Sequence, residues 1–400
     1  MSEKKVSKSI SFDKKKLATI SVCMIVRNNE KELERLLPSI YKSVDEIIIV
    51  DTGSTDGTVE VAKKYANIMV DYTQSPHYGL LQYAYKDKVY DVISDFSKAR
   101  NESLKYATKD YILWLDADDF IGKQDIARLR FHLMAKPNTA TLLLVADRRI
   151  DRDFQLLQLR VFPNHQGIEF SGRIHEQVAS SIVEKGIKYS HSEVTINHLG
   201  YRDDDEILRK LARNEMLLEI EVKENPDNFM ANLNFAKSLT GSGRFEEAEK
   251  YVDKAISLVK NGLMMDSESV FLALLTKATL LGQKGKTKEA LETLEDERNL
   301  LCKNDIYLLT TGDLYYKTGN YEKAYEDLKI LTKGTIGISS IPMDIKNLVQ
   351  SLVEPLLVSS LYMGDLKTAE FCVKLIFRIP KFRIGKIIEY GEIYGNNQTS

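Results

Sequence analysis

Three clusters of polar and acidic residues carry the side chains best able to do chemistry, and each follows an apolar run. The sharpest is Asp116-Ala117-Asp118-Asp119, directly after residues 111–115. Carboxylates crowded in this way repel one another unless a cation neutralises them. A hard divalent ion, Mg2+ or Mn2+, takes oxygen ligands of this kind and keeps positions open for substrate phosphates. Such an ion would screen a diphosphate and stabilise its charge on departure. The competing explanation is that Asp118 or Asp119 caps the helix expected to begin near Lys123. The other two clusters are Arg27, Asn28, Asn29 and Glu30 after 19–26, and Asp51, Ser54 and Asp56 after 46–50.

The elements that would position these clusters follow from periodicity. Residues 19–26, 46–50 and 111–115 read as buried strands, continuous in apolar and β-branched side chains. Between them, 30–41 spaces Leu33, Leu36, Leu37 and Ile40 along one helix face, and 58–65 and 96–106 also read as helices. Strands alternating with helices predict a mostly parallel sheet covered on both faces. Ligands of such sheets bind beyond the carboxyl ends of the strands, where all three clusters fall. Neighbouring strands would bring their carboxylates to one edge. Cys23, in mid-strand, reads as a small buried apolar residue, and Trp114 as a core residue.

Beyond about residue 200 the strand signal fades and a phrase repeats: SGRFEEA, KGKTKEA, TGNYEKA and MGDLKTA. Glycines 243, 285, 319 and 364, at intervals of 42, 34 and 45, each precede an alanine by five residues. Gly permits a turn between paired helices, and the small Ala lets the second helix approach the first. Phe245 and Tyr321 are placed to fill gaps between hairpins. Spacing close to or somewhat longer than 34 residues predicts a tetratricopeptide-like array with lengthened helices or loops, whose curved surface commonly docks peptides or subunits. The acidic stretch 203–206 reads as a helix start favoured by the helix dipole.

Composition bounds the rest. At roughly 150 residues per domain, 400 residues hold two or three domains. With 43% hydrophobic and 28% charged residues the chain is globular, not fibrous or disordered. Fifty-six basic residues against 58 acidic give a net charge of −2, which does not point to nucleic acid. No apolar run reaches the roughly 18 residues of a membrane span. The basic start, 1–17, lacks the apolar core of a secretory signal and reads as a solvated tail. Cys23, Cys302 and Cys372 match neither a disulfide framework nor a zinc pattern, which suits a reducing cytoplasm.

The strings ISVCMIVRNNE, EIIIVDTGSTDGT and FSKARNESLKYATKDYILWLDADD together resemble family 2 glycosyltransferases of the GT-A fold. With the C-terminal repeats, the chain resembles tetratricopeptide-bearing members, including peptide S-glycosyltransferases of glycosylated bacteriocins. The resemblance implies a Rossmann-like α/β catalytic domain at 18–205 and an all-α repeat domain at 206–400. It implies inverting transfer from a nucleotide sugar, a UDP-sugar, to a peptide or protein acceptor. A cysteine thiol of a bacteriocin precursor is the first acceptor to test, with protein Ser/Thr or a cell-surface glycan open. A non-catalytic scaffold that senses sugar nucleotides is the alternative from another class. The repeat domain would dock the acceptor or a second copy of the chain.

By the same resemblance, Val26, Asn28 and Glu30 line the nucleotide pocket, and Asp51 contacts the uracil. Asp56 and Arg100 fall in the nucleotide and diphosphate regions, and Asp116 on the ribose or sugar side. Asp118 binds the metal, with His198 as a further ligand. Glu176, or else His175, serves as the base that deprotonates the acceptor, on the segment containing Gly172. The tyrosines at 72, 78, 83, 85 and 90 mark either an insertion near the donor pocket or surface packing.

Overall fold

The computed structural model describes residues 17–149, 152–200, 204–263, 265, 267–298, 304–333 and 343–378. The expected basic tail apart from Leu17, Cys302 and Asp203 lie outside the described residues. The α/β half centres on a sheet whose first strands are β1 (Ile20–Val26), β2 (Glu46–Asp51) and β3 (Ile68–Asp71). β4 (Leu80–Tyr85) and β5 (Lys88–Ile93) form a separate hairpin. The sheet continues through β6 (Tyr111–Trp114), β7 (Asp119–Phe120), β8 (Thr139–Arg149), β9 (Arg152–Pro163) and β10 (Lys188–His198). Its order is β3-β2-β1-β6-β9-β8-β10-β7.

The first four strands in that order are mutually parallel, and β1 lies between β2 and β6. The three strand ends bearing polar clusters are therefore neighbours, which is the condition for their carboxylates to share one edge. Beyond β6 the sheet becomes mixed, because β9 enters antiparallel to both β6 and β8. α1 (Glu30–Ile40) covers β1 with Leu33, Leu36, Leu37 and Ile40, all fully buried. At the amino ends of the strands, buried Glu46 accepts hydrogen bonds from Ser21 Oγ (2.6 Å), Thr108 N (2.8 Å) and Thr108 Oγ1 (2.9 Å). That carboxylate ties β1 and β2 to the turn entering β6.

α2 (Thr58–Ala62), α3 (Phe96–Leu104), α4 (Lys123–Ala135) and α5 (Ala179–Glu184) complete the α/β half. A long helix, α6 (Asp204–Glu224), then opens the helical half. Its Leu217, Leu218 and Val222 share a core with Tyr83 and Val92 of the β4–β5 hairpin and with Ile174. The two halves are thus packed together through apolar side chains.

Among the described residues four helix pairs follow: α7 and α8 (Phe229–Gly241, Phe245–Lys260), α9 and α10 (Ser267–Gln283, Thr287–Glu295), α11 and α12 (Asp305–Lys317, Tyr321–Ile330), and α13 and α14 (Ile345–Tyr362, Leu366–Arg378). Each repeated phrase sits at the turn within a pair. Gly243, Gly285, Gly319 and Gly364 have φ between +72° and +80°, where an L side chain would be strained. The next residue in every case donates its N–H to the carbonyl five positions back, ending the first helix in a Schellman turn. Ala248, Ala290 and Ala324 are fully buried and Ala369 nearly so, which allows the close helix approach. Tyr321 lies between Tyr316 of its own pair and Tyr362 of the next, bridging hairpins as expected. β11 (Met343–Asp344), just before α13, pairs antiparallel with β9, so the array meets the sheet again.

Candidate active site

A cavity of about 800 Å3 lies where the carboxyl ends of β1 and β6 meet the segment 174–177, the β4–β5 hairpin and α6. Val26, Asn28, Arg100, Asp116, Asp118, His175, Glu176 and His198 all line it. Sequence positions spread over 170 residues are gathered around one space.

The floor of the cavity is a chain of alternating charges. Arg100, from α3, donates from Nε to Glu176 Oε1 (2.5 Å) and from Nη2 to Asp116 Oδ1 (2.6 Å). Arg160, from β9, donates from Nη2 to Asp116 Oδ2 (3.4 Å) and from Nη1 to Asp119 Oδ2 (2.9 Å). Both guanidinium groups lie over the ring of Trp114, at 4.5 and 3.9 Å from its centroid. Burial opposes ionisation of Asp116, yet Arg100 and then Arg160 hold its carboxyl far below the usual range. The carboxylates expected to be unpaired are therefore largely matched by two arginines.

His198 closes this chain. The register of β7 with β10 sets it opposite Asp119. Its Nδ1 lies 3.0 Å from Asp119 Oδ1 and its Nε2 3.3 Å from Asp118 Oδ2. Asp119 is fully buried and engaged on both oxygens, so it orients the ring, with Nδ1 as donor and Nε2 turned towards Asp118. A metal-binding histidine commonly donates its other nitrogen to a carboxylate in this way. The Asp118–His198 separation is close to the roughly 3 Å between adjacent ligands of a cation bound at about 2.1 Å. These residues fit a divalent cation. Neither aspartate caps α4, whose N-cap is Gly122.

On the acceptor side, residues 171–177 form a loop pinched by reciprocal hydrogen bonds between Ser171 and Gln177. Gly172 at φ +94° and His175 at φ +56° turn it sharply. His175 is open to the cavity although deep in the protein. Burial favours its neutral form, reinforced by Lys237 and Arg213 and opposed by Glu176. Glu176 is nearly buried, with one oxygen held by Arg100.

The strand-end turns of β1 and β2 are sewn to each other. Asn28, at φ +53°, donates its N–H to Ser54 Oγ and accepts from Thr55 N at Oδ1. Asp51 accepts from Gly53 N, Ser54 N and Ser54 Oγ, which spends its carboxylate on its own turn. Asp56 accepts from Thr58 N and Oγ1 at the start of α2. Glu30 Oε2 accepts from Gly57 N, and a Cβ at Gly57 would lie 2.5 Å from Glu30 Oε1. Asp51, Asp56 and Glu30 thus shape the loops, and none of the three lines the cavity.

Arg160, part of the charge chain described above, was not singled out from sequence. Arg27 buries Nη1 without a hydrogen-bond partner among the described residues. Arg209, Lys210 and Arg213 enter from α6. Tyr83 and Tyr90 of the tyrosine-rich segment line the cavity and stack on each other with centroids 5.5 Å apart, so the hairpin is both cavity wall and packing surface. Cys23 and Cys372 are buried, which pushes both thiols up to about 12, and neither is an available nucleophile.

Comparison with known proteins agrees with this architecture. Residues 21–182 match the family described as Glycosyl transferase family 2. A TPR repeat-containing protein of Synechococcus elongatus is 28% identical over 247 residues, covering 60% of this chain and 57% of that protein. The SPbeta prophage-derived glycosyltransferase SunS of Bacillus subtilis is 26% identical over 294 residues, covering 68% of this chain and 61% of that protein. The chain spans about three fifths of the length of these curated relatives. Staphylococcus aureus TarS 1-349 in complex with UDP-GlcNAc aligns at a TM-score of 0.38 and 14% identity, over 77% of this chain and 89% of that one. That likeness is too loose to inform the site. The α/β half of this chain is a family 2 glycosyltransferase domain, joined to a tetratricopeptide-like helical array.

Proposed function

We propose that the chain is a metal-dependent, inverting glycosyltransferase. It moves a sugar from a UDP-sugar to a peptide or protein acceptor, the first choice being a cysteine thiol of a bacteriocin precursor. The observation that carries this reading is the pairing of Asp118 with an Asp119-oriented His198 in a cavity that also contains His175 and Glu176. Asp118 and His198 would hold Mg2+ or Mn2+, which when bound supplies charge stabilisation for the departing diphosphate. Val26 and Asn28 would line the nucleotide's entry along β1, while the uracil contact expected of Asp51 would require its turn to open. Arg100 fixes both Asp116, on the sugar side, and Glu176, on the acceptor side.

In the transfer, the acceptor's sulfur or oxygen forms a bond to the anomeric carbon as the bond to the diphosphate breaks. The acceptor proton passes to Glu176 or His175, and the nucleoside diphosphate leaves with the bond electrons. Glu176 remains the first choice as base. A thiol, which ionises near pH 8.5, needs less help from a base than a hydroxyl does. His175 is favoured by its opening to the cavity and its neutral ring. No described helix is long and apolar enough to cross a membrane, and the cytoplasm is the proposed compartment.

Serine, threonine or glycan hydroxyls are the competing acceptors. An inactive sugar-nucleotide sensor is the competing class, and the complete charge network argues against it. Intact-mass analysis of cysteine- and serine-containing peptides with a panel of sugar nucleotides and Mn2+ tests the proposal. A mass gain of one hexose or N-acetylhexosamine on the cysteine peptide is expected. Nucleotide binding with no turnover on any acceptor or water would favour the sensor.

A further inference from the structure

We propose that Gln158 of β9 is a donor-specificity residue, whose amide N–H reads a hydroxyl of the hexose carried by the nucleotide. This inference rests on the glycosyltransferase reading above and names a contact by which the sugar is chosen.

Gln158 lines the cavity, and its Oε1 accepts a hydrogen bond from Arg160 Nε at 2.9 Å. A guanidinium has donors and no acceptor, so this bond fixes which end of the amide is oxygen and which is nitrogen. Gln158 Nε2 is left with no hydrogen-bond partner among the described residues. Arg160 is itself immobilised, since it lies over Trp114 and is bonded to Asp116 and Asp119. The amide is thus a preoriented donor facing the cavity. Asp116 offers the complementary group. Each of its oxygens takes an arginine N–H and keeps a further lone pair, and 33% of the side chain is exposed. An amide donor and a carboxylate acceptor joined through one arginine match a polyol, whose neighbouring hydroxyls can accept at one oxygen and donate at the next.

The order of groups along the cavity floor assigns Gln158 to the donor. Glu176 stands at one end, bonded to Arg100, which also grips Asp116 Oδ1. Asp116 Oδ2 faces Arg160, and there the chain branches to Gln158 and to Asp119, the residue that orients His198. Gln158 therefore shares its arginine with the support of the Asp118–His198 pair. From Glu176 it is separated by Arg100, Asp116 and Arg160 in turn. Strand direction agrees, because β9 runs antiparallel to β6 with Val161 opposite Leu113, which carries Gln158 towards the Asp116 end of β6. The hexose of a nucleotide sugar is bonded directly to the diphosphate that the cation would hold. It is the part of the donor within reach of this branch.

The test is calorimetric titration of UDP, UDP-glucose, UDP-galactose and UDP-N-acetylglucosamine, each with Mn2+ and without any acceptor. With the acceptor omitted, only a contact to the donor can register. In Gln158→Met the affinity for the best-bound sugar nucleotide is expected to fall about three- to tenfold, the worth of one neutral hydrogen bond, while UDP stays within about twofold. Gln158→Glu keeps an oxygen for Arg160 and removes the N–H, so the ratio of UDP-sugar to UDP affinity should fall there too. That variant decides the matter if the methionine perturbs the fold. A ratio unchanged in the folded variants would overturn the proposal. An equal fall for UDP and for every UDP-sugar would overturn it as well, by assigning Gln158 to the nucleotide. A wild-type protein that binds none of the four contradicts the glycosyltransferase reading and takes this proposal with it, whereas nucleotide binding with an unchanged ratio removes the proposal alone.

Discussion

Asp119 and Arg160 meet in the interior at the edge of the cavity. Arg160 Nη1 lies 2.9 Å from Asp119 Oδ2, with 3% and 0% of their side chains exposed. One comes from β7 and the other from β9, so the pair locks the acidic motif onto the antiparallel part of the sheet. Arg160→Met keeps the length of the side chain but leaves Asp119 charged and buried without its guanidinium. A loss of about 3–5 kcal/mol in urea denaturation is expected, typical of breaking one side of a buried pair. A variant as stable as the wild type would remove the pair from the account of the fold.

Asp119 also acts through His198. Asp119→Asn is expected to weaken Mn2+ binding by about ten- to a hundredfold, because the ring loses the carboxylate that sets its orientation. Competition with a fluorescent chelator measures this directly. Unchanged affinity would make Asp119 purely structural.

Glu176→Gln should leave UDP-sugar affinity unaltered and slow transfer by about a hundredfold, the low end for loss of a general base. Steady-state kinetics separate the two effects, since a base contributes to kcat and not to donor binding. Full activity in this variant together with loss in His175→Gln would move the proton to His175.

The clamp at Glu46 predicts a pH dependence of stability. Burial opposes its ionisation, but hydrogen bonds from Ser21 and Thr108 outweigh that and hold its carboxyl below the ordinary 4.5. A lowered folded value means that the stabilisation is complete above the unfolded value and fades as pH falls through the folded one. Glu46→Gln should cost about 1–3 kcal/mol at pH 7, the price of a charged hydrogen bond. The gap between variant and wild type should close as the pH drops below 4.5. A gap that does not vary with pH would contradict the clamp.

Much of the α/β half was legible because β1, β2 and β6 are continuous apolar runs whose polar ends need no long-range information. The repeat phrases were legible for a similar local reason, since Gly at a positive φ and a buried Ala recur in register. Arg160 was not, because in QLLQLRVF it reads as one polar residue on an alternating strand. Only the pairing of β9 with β6 aims it at Asp116, and that pairing joins residues about fifty positions apart. The alternation of Gln158 and Arg160 was the available signal of a polar face. Arg209 and Arg213 were missed because α6 was assigned wholly to the repeat domain, whereas it also walls the cavity. Truncation near residue 207 would therefore strip the cavity and expose Tyr83, Val92 and Ile174, so it does not isolate acceptor docking.

The central claim is that Asp118 and His198 hold the cation that a nucleotide sugar requires. Calorimetric titration of UDP with and without Mn2+ into wild type, Asp118→Ala and His198→Ala tests it most directly. The account predicts Mn2+-dependent UDP binding in the wild type and loss of the Mn2+ dependence in both variants, with native circular dichroism retained. UDP binding that ignores Mn2+ in the wild type, or persists with full Mn2+ dependence in folded Asp118→Ala, would contradict it.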